Sequence, residues 1–574
     1  MNALTISTAI ATGRADLVIH RRRSLLVAQL RVILVAAVFV LFALVSVARI
    51  GFLGMSDRAI AITSLEEALL PPRGEITDRN GVPLARAFPA YALWYNPEAL
   101  GDPQNPLVRS PREVAAELAA IFPDLDEGEI ADRLASGQKG YLRRRVLPEE
   151  ANAIQELGEL ALELPREKER HYPQGSLGAH VLGYVDAAGE GQVGMERVLD
   201  DRLSDHATRA QPVALSIDMR VQGALEDELR RGMLATNAAG AGGVVLDVDT
   251  GEIIALASLP DFDPNHIDAR GAKNMFSRVT SEVYELGSTF KPIVVAAAID
   301  AGTVRDFGRM YQASTPLRFG PHQIRDSHPL GAYINMPQSL IHSSNIVTGQ
   351  IADELGPERL RQTMMDLGMH ERPKIELPAT GAPIWPQGKW ARVTNATVSF
   401  GHGLSVTPLH LASAYAAMVN GGVWRPSTLR KLTASEVPQG RRVFKASTSY
   451  RMRQLLRLIS LYGTGRKGDA PGYRVGGKTG SAEKAVGGRY SQRLLVSNFA
   501  AAFPMDNPRY VVLTMLDEPQ GTTASSFQRT AAWNAAPIVG RLVPRIGPLL
   551  GVLPDETRDV DVSDLRPLLP EAQK

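Results

Sequence analysis

Tyr284 to Ile299 reads YELGSTFKPIVVAAAI, and the reading of its centre, Ser288-Thr-Phe-Lys291, decides the kind of domain that surrounds it. Glu285, Leu286 and Gly287 form a lead-in turn, and Pro292 stands where the first turn of a helix tolerates a missing N–H. The apolar run Ile293 to Ile299 predicts a buried helix. A serine at such an N-terminus has the positive end of the helix dipole beneath it, and Lys291 lies one helical turn on, on the same face. The plainer reading is a serine helix cap followed by an unrelated lysine. The spacing alone does not decide, because the chain repeats S-x-x-K at Ser136/Lys139 and Ser481/Lys484. Ser136 is flanked by glycines with no helix following, and Ser481 overlaps another motif.

Two further motifs follow in order. IHSSNIV supplies Ser343-x-Asn345, and GGKTGSAEK supplies Lys478-Thr479-Gly480 on a strand flanked by glycines. S-x-x-K, S-D-N and K-T-G together are the signature of penicillin-binding proteins and class A β-lactamases, and here the middle element is Ser-Ser-Asn. Each residue has a chemical reason. A serine hydroxyl is a poor nucleophile and needs a base in contact. Lys291 serves only when neutral, which demands a fall of about 3 units from a free value of about 10.4. Burial and a second ammonium, Lys478, both push that way. Ser343 is placed to relay a proton to a leaving amine, and Asn345 to hold a substrate amide. Lys478 with the hydroxyls of Thr479 and Ser481 suits a carboxylate. Gly480 would let a substrate backbone approach the strand, and the N–H groups of Ser288 and Ser481 would form an oxyanion hole.

Composition bounds the alternatives. The chain has 574 residues, too many for one core, with 44% hydrophobic and 22% charged residues, as in globular proteins. A net charge of +2 argues against a nucleic-acid binder, and the absence of cysteine excludes thiol catalysis and disulfides. Val32 to Ala48 is apolar and uncharged, and with RIGFL, including a snorkelling Arg49, it predicts a single uncleaved membrane anchor. Arg14, Arg21, Arg22, Arg23 and Arg31 precede it, so the N-terminus is expected in the cytoplasm and the remainder outside. The arginine run is topogenic.

The expected division is a cytoplasmic tail at 1–31, an anchor at 32–53, a pedestal at 54–211, a catalytic domain at 212–555 and a C-terminal tail at 556–574. In the pedestal, Asn80-Gly81 predicts a hairpin turn, and Ser110-Pro111 a helix start. In the catalytic domain, two strands turn about Asp249-Thr250-Gly251. A largely helical middle follows from about 285 to 460, then further strands, then a helix around SSFQRTAAWNAAPIVGRLV. The fold class is α+β, an antiparallel sheet with helices on both faces. His402 in FGHGL has no partner by motif and reads as structural. Asp326 and His328 read as a loop pair rather than part of a triad, and Gly476-Gly477 as strand relief.

With all three motifs in register, the chain resembles a class B penicillin-binding protein, most of all the division-specific subtype. RGEITDRNG resembles the first box of that family's N-terminal module, carrying Arg73, Gly74, Asp78 and Gly81. RHYPQGSLGAHVLGYV and GQVGMERVLD resemble its pedestal, of the dimerisation type. YELGSTFK, SFGHGLSVTPLHLASAYAAMVNGG and LDEP look like the division form, whereas the elongation form more often has proline where Leu286 stands. The resemblance implies a β-lactamase-like transpeptidase domain on a single-pass inner-membrane anchor, facing the periplasm. It implies that Ser288 attacks the penultimate D-alanine of a peptidoglycan stem peptide, lipid-linked or on a nascent strand, and that β-lactams trap it. No metal or cofactor is implied, and no nucleic acid. A membrane glycan polymerase and other divisome proteins are the implied partners. The rivals are an elongation-specific transpeptidase, a β-lactamase (the E-x-x-L-N pattern of class A is missing), a β-lactam sensor and a non-catalytic divisome adaptor.

Overall fold

The computed structural model describes residues 29–47, 71–100, 109–186, 188–486 and 489–570, in two units divided after Leu70. In the first, helix α1 (Gln29–Val47) has 19 residues and a mean hydropathy of 2.8, long and apolar enough to cross a membrane. It begins ahead of the expected residue 32 and takes in Arg31, whose stem lets a guanidinium snorkel. Arg14, Arg21 to Arg23, Arg49 and the anchor's expected end lie outside the described residues.

From Pro71 the chain builds a mixed sheet. Strand β1 (Ile76–Thr77) returns antiparallel as the long β2 (Pro83–Tyr95). Between them Gly81 takes φ +87°, while Asp78 Oδ1 accepts the N–H groups of Asn80 and Val82 at 2.7 and 2.8 Å. Helix α2 (Pro111–Ile121) starts at Ser110 with a reciprocal capping box to Glu113. It packs with α3 (Glu127–Ala135), β3 (Gly140–Val146) and α4 (Pro148–Glu156) around Leu93, Leu118, Phe122 and Ile154. Strand β4 (Arg166–His171) pairs with β2, and β5 (Val213–Ala214) runs parallel to β1, so residues just past 211 complete this sheet.

Arg73, Gly74, Asp78 and Gly81 are structural members of this module. Glu196, fully buried, lies between Arg73 (2.9 Å) and Arg170 (2.7 Å), and Arg73 also reaches Asp200 at 2.7 Å. A Cβ at Gly74 would sit 3.1 Å from Leu203 and 3.3 Å from the Arg209 carbonyl. Asp78 Oδ2 accepts the Met219 N–H at 3.2 Å, tying the turn to the next module's first helix.

That helix, α5 (Met219–Ala235), precedes β6 (Gly240–Asp247) and β7 (Ile253–Leu259). The remaining main elements are α6 (Lys291–Ala301), α7 (Asn345–Leu355), α8 (Pro408–Val419), α9 (Ala446–Tyr462), β8 (Gly476–Val486), β9 (Arg489–Phe503), β10 (Tyr510–Asp517) and α10 (Ala535–Ile546). The five strands lie in the order β8-β9-β10-β6-β7, antiparallel throughout, so β10 pairs with β6 across most of the domain's sequence. Period-two alternation serves two cores. Val245, Val512 and Leu516 face Leu229, Ile538 and Leu542 of α5 and α10. Val244, Leu513 and Met515 face Ile293, Tyr415 and Met452 of α6, α8 and α9. Strand β8 is an edge.

Two expectations change, and the tail, whose order the sequence left open, is placed. The helical middle also holds a small hairpin, Leu317–Phe319 with His322–Ile324, enclosed in sequence by a second antiparallel pair, Met310–Gln312 with Tyr333–Asn335. The last helix begins only at Ala535, where Asn534 Oδ1 accepts the Ala535 N–H at 2.6 Å; before it, Ser526 and Phe527 take φ +51° and +60°, which no α-helix accommodates. Through residue 570 the tail packs onto the domain, burying Val560, Val562, Leu565 and Leu569, with Asp559 paired to Arg457 of α9 at 2.7 Å.

Candidate active site

Ser288 lies in a 3₁₀ turn, Gly287–Phe290, that runs directly into α6, and neither element has a side-chain cap. The helix-cap reading of Ser288 therefore falls. The turn holds Ser288 partly exposed while Lys291, on the next turn, is wholly buried.

The three motifs converge on Ser343. Lys291 Nζ donates to Ser343 Oγ at 3.1 Å and to the Ser343 carbonyl oxygen; Lys478 Nζ donates to the same Oγ at 2.9 Å and to the Thr479 carbonyl at 3.1 Å. The lysine hydrogen bonds thus go to Ser343, not to Ser288 Oγ as a direct serine–base contact would have it. Ser343 has φ +63°, an uncommon backbone state for a serine, and presents both oxygens to Lys291. Burial, then the Lys478 ammonium, pushes Lys291 well below an ordinary lysine value, with Asp326 opposing. Burial lowers Lys478 to about 7.

Asn345 opens α7, and its Nδ2 donates to the Arg325 carbonyl at 3.0 Å. Asp326 is not a loop partner of His328. It accepts the Ser344 hydroxyl at 2.7 Å, the Ile346 N–H at 3.1 Å and the Asn345 N–H, so it clamps the start of α7, while His328 meets Ser327 Oγ at 3.0 Å. Thr479 Oγ1 pairs with Thr464 Oγ1 at 2.7 Å, and Ser481 Oγ accepts the Ala531 N–H at 3.0 Å.

A Cβ at Gly480 would lie 2.3 Å from the Leu286 carbonyl oxygen and 3.0 Å from Thr289 Cγ2, so the missing side chain admits the Ser288 turn. Gly476 and Gly477 are close-packing positions: a Cβ added to them would lie 2.6 Å from Met505 Cε and from the Ala500 carbonyl oxygen respectively. The other S-x-x-K pairs are spoken for. Ser136 Oγ donates to the Arg133 carbonyl at 2.7 Å, Lys139 is exposed beside Glu98, and Lys484 is paired with Asp517 (2.8 Å) and Glu518 (2.7 Å).

One cluster had no sequence signal. His402, expected without a carboxylate partner, has Nδ1 3.0 Å from Glu285 Oε2. Glu285 Oε1 accepts the Gly403 N–H and the Tyr490 hydroxyl, each at 2.9 Å. Burial pushes the Glu285 carboxyl up, but His402, the Gly403 N–H and Tyr490 outweigh it and hold it below the ordinary carboxylate value. The partners come from two segments, His402-Gly403 and Tyr490, both far from Glu285 in the chain, so no local pattern announces them.

Residues 241–539 match the penicillin binding protein transpeptidase domain, and residues 68–209 match the penicillin-binding protein dimerisation domain. A solved structure, penicillin binding protein 3 from Mycobacterium tuberculosis complexed with aztreonam, is 25% identical, with a TM-score of 0.66 over 86% of this chain and 99% of that one. Fold and sheet edge together define the class: a penicillin-binding transpeptidase domain preceded by a dimerisation-type pedestal. A probable peptidoglycan D,D-transpeptidase FtsI of Caulobacter vibrioides is 39% identical over 84% of this chain and 82% of its own length. The FtsI D,D-transpeptidase of Escherichia coli is 30% identical over 84% of each. The chain belongs to the class B penicillin-binding proteins, the serine-type peptidoglycan D,D-transpeptidases.

Proposed function

We propose that this chain is the division-specific member of its class and cross-links stem peptides at the septum, with Ser288 as nucleophile and Lys291 as its base. The observation that carries the chemistry is the pair of buried lysines meeting on one serine oxygen. A neutral amine has two N–H groups and one lone pair. Both Lys291 donations go to Ser343, which leaves the lone pair to take the Ser288 proton.

Ser288 Oγ then bonds to the penultimate D-alanine carbonyl carbon, and the oxyanion is held between the N–H groups of Ser288 and Ser481. Ser343 Oγ accepts from both lysines, so its own O–H is free to protonate the leaving nitrogen as the C–N bond breaks. D-alanine departs, and Lys291 restores the Ser343 proton. An acceptor stem amine resolves the ester by the reverse transfers, regenerating Ser288. Asn345 is assigned to hold a substrate amide, and Lys478, Thr479 and Ser481 to hold the terminal carboxylate. The backbone of Gly480 continues that strand.

The septal assignment is supported by the FtsI relatives and by Leu286 in the lead-in turn. The domain division 1–31, 32–53, 54–211, 212–555 and 556–574 is part of the proposal, as are a cytoplasmic N-terminus, a periplasmic catalytic domain, and a membrane glycan polymerase and other divisome proteins as partners. Brief exposure of the detergent-solubilised full chain to benzylpenicillin should leave one stable adduct by intact mass, lost in Ser288→Ala. Rapid drug hydrolysis without an adduct would make it a β-lactamase. In cells, depletion should give filaments with the tagged protein at midcell; rounded cells would move it to elongation.

A further inference from the structure

Asn498 lies on β9 directly opposite Gly480 of β8. Opposed residues of an antiparallel pair project to the same face, so Asn498 lies beside the space that Gly480 leaves to the Leu286 carbonyl, its Nδ2 3.0 Å from where a Cβ would stand. Its Nδ2 donates to the Leu286 carbonyl at 3.0 Å and to the Gly480 carbonyl at 3.4 Å. One amide thus joins the turn that carries Ser288 to the strand that carries Ser481. The same Leu286 carbonyl also receives the Thr289 hydroxyl at 2.9 Å, and the fully buried Tyr415 hydroxyl holds the Thr289 carbonyl at 2.9 Å. The approach is close: a Cβ on Gly287 would lie 3.0 Å from the Ser481 carbonyl oxygen.

The side chain is fully buried, and among the described residues its Oδ1 has no hydrogen-bond partner. An orphaned buried acceptor costs stability that an apolar side chain of similar size would not. Its use therefore lies in the donor end, at the seam between turn and strand.

We propose that Asn498 is a positioning residue that sets the separation of the Ser288 and Ser481 N–H groups, and with it the fit of the oxyanion. The Gly480 carbonyl shares a peptide unit with the Ser481 N–H, and the Leu286 carbonyl is one peptide unit before the Ser288 N–H, so each clamped carbonyl lies close in the chain to its donor. The inference rests on the acyl-serine reading above. A small misplacement here affects the transition state more than ground-state binding, because the donors must meet the developing oxyanion.

The test uses the full-length chain in detergent and a fluorescent penicillin. It resolves the pre-covalent dissociation constant from the acylation rate constant and normalises both to titrated active sites. Asn498→Ala should slow acylation about 10- to 100-fold, with the dissociation constant within threefold, the active fraction unchanged and Tm close to wild type. Acylation within threefold of wild type overturns the proposal. So does a fall in active fraction or Tm with an unchanged rate per active site. Should Asn498→Ala fail to fold, Thr289→Val, which deletes the other bond to the Leu286 carbonyl, decides in the same way: slowed acylation at unchanged binding supports the clamp, and an unchanged rate overturns it. No adduct on the wild-type chain would instead overturn the acyl-serine reading, and this inference with it.

Discussion

At the scale of single residues, two lysines in a dry site govern the proton chemistry. The Lys478 ammonium is one of the causes that depress Lys291, so removing it as Lys478→Met should let Lys291 hold its proton to higher pH. The acidic limb of the acylation rate should then shift to higher pH; an unmoved limb would mean that burial alone sets the base. Stability carries the same signature. The folded chain releases the Lys478 proton near 7, the unfolded chain near 10.4. Between those values the unfolded chain binds more protons, so stability rises with pH, and Lys478→Met should flatten that rise in a Tm-versus-pH series. Gly480→Ala places a Cβ 2.3 Å from the Leu286 carbonyl. Overpacking of this kind costs about 1–3 kcal/mol, and the displaced Ser288 turn should slow acylation by tenfold or more, measurable with the same fluorescent penicillin.

At the scale of elements, the site is assembled from ends: the 3₁₀ turn before α6, the start of α7 and the open edge of β8. Asp326 accepts three hydrogen bonds at the start of α7. Its loss in Asp326→Ala should cost about 1–2 kcal/mol as a lost cap and loosen Ser343 and Asn345, seen as a lower Tm together with slower acylation. Glu285 links the lead-in turn to Gly403, His402 and Tyr490, hence to the start of β9. Glu285→Ala should lower Tm and acylation together, whereas Tyr490→Phe, losing one of the three links, should have the smaller effect. Helix starts were readable where the capping chemistry is local, as at Ser110-Pro111 with Glu113. The late start of α10 was not, because Ser526 and Phe527 carry no residue-type signature of a left-handed backbone.

At the scale of the whole molecule, the pedestal is held together by charge buried away from water. Glu196 is wholly buried between Arg73 and Arg170, each within 2.9 Å. Removing one partner of such a set leaves uncompensated charge and typically costs about 3–5 kcal/mol. Glu196→Ala should therefore lower the Tm of the full chain severely, while Glu75→Ala, which deletes a pair with the exposed Arg86, should change it little. Asp78 extends the same scaffold by holding the Met219 N–H of α5. Damage in the first box of the pedestal should thus reach the catalytic module as lost stability before any change in the chemistry of Ser288, which active-site titration against Tm would separate.

The amino-acid sequence alone determined the N-terminal helix long and apolar enough to cross a membrane, the order of modules, the antiparallel α+β class and the short patterns around Ser288, Ser343 and Lys478, because periodicity, turn chemistry and motif spacing are local properties. Tertiary structure alone decided what those residues touch. Lys291 turns to Ser343, Gly480 yields its space to Leu286, His402 finds Glu285, and Asp326 caps α7 instead of pairing with His328. Each of these joins segments far apart in the chain, and their partnership depends on strand order and on the close approach of turn to sheet. Burial, which moves the lysines into their working range, is likewise a property of the packed domain and of no stretch within it.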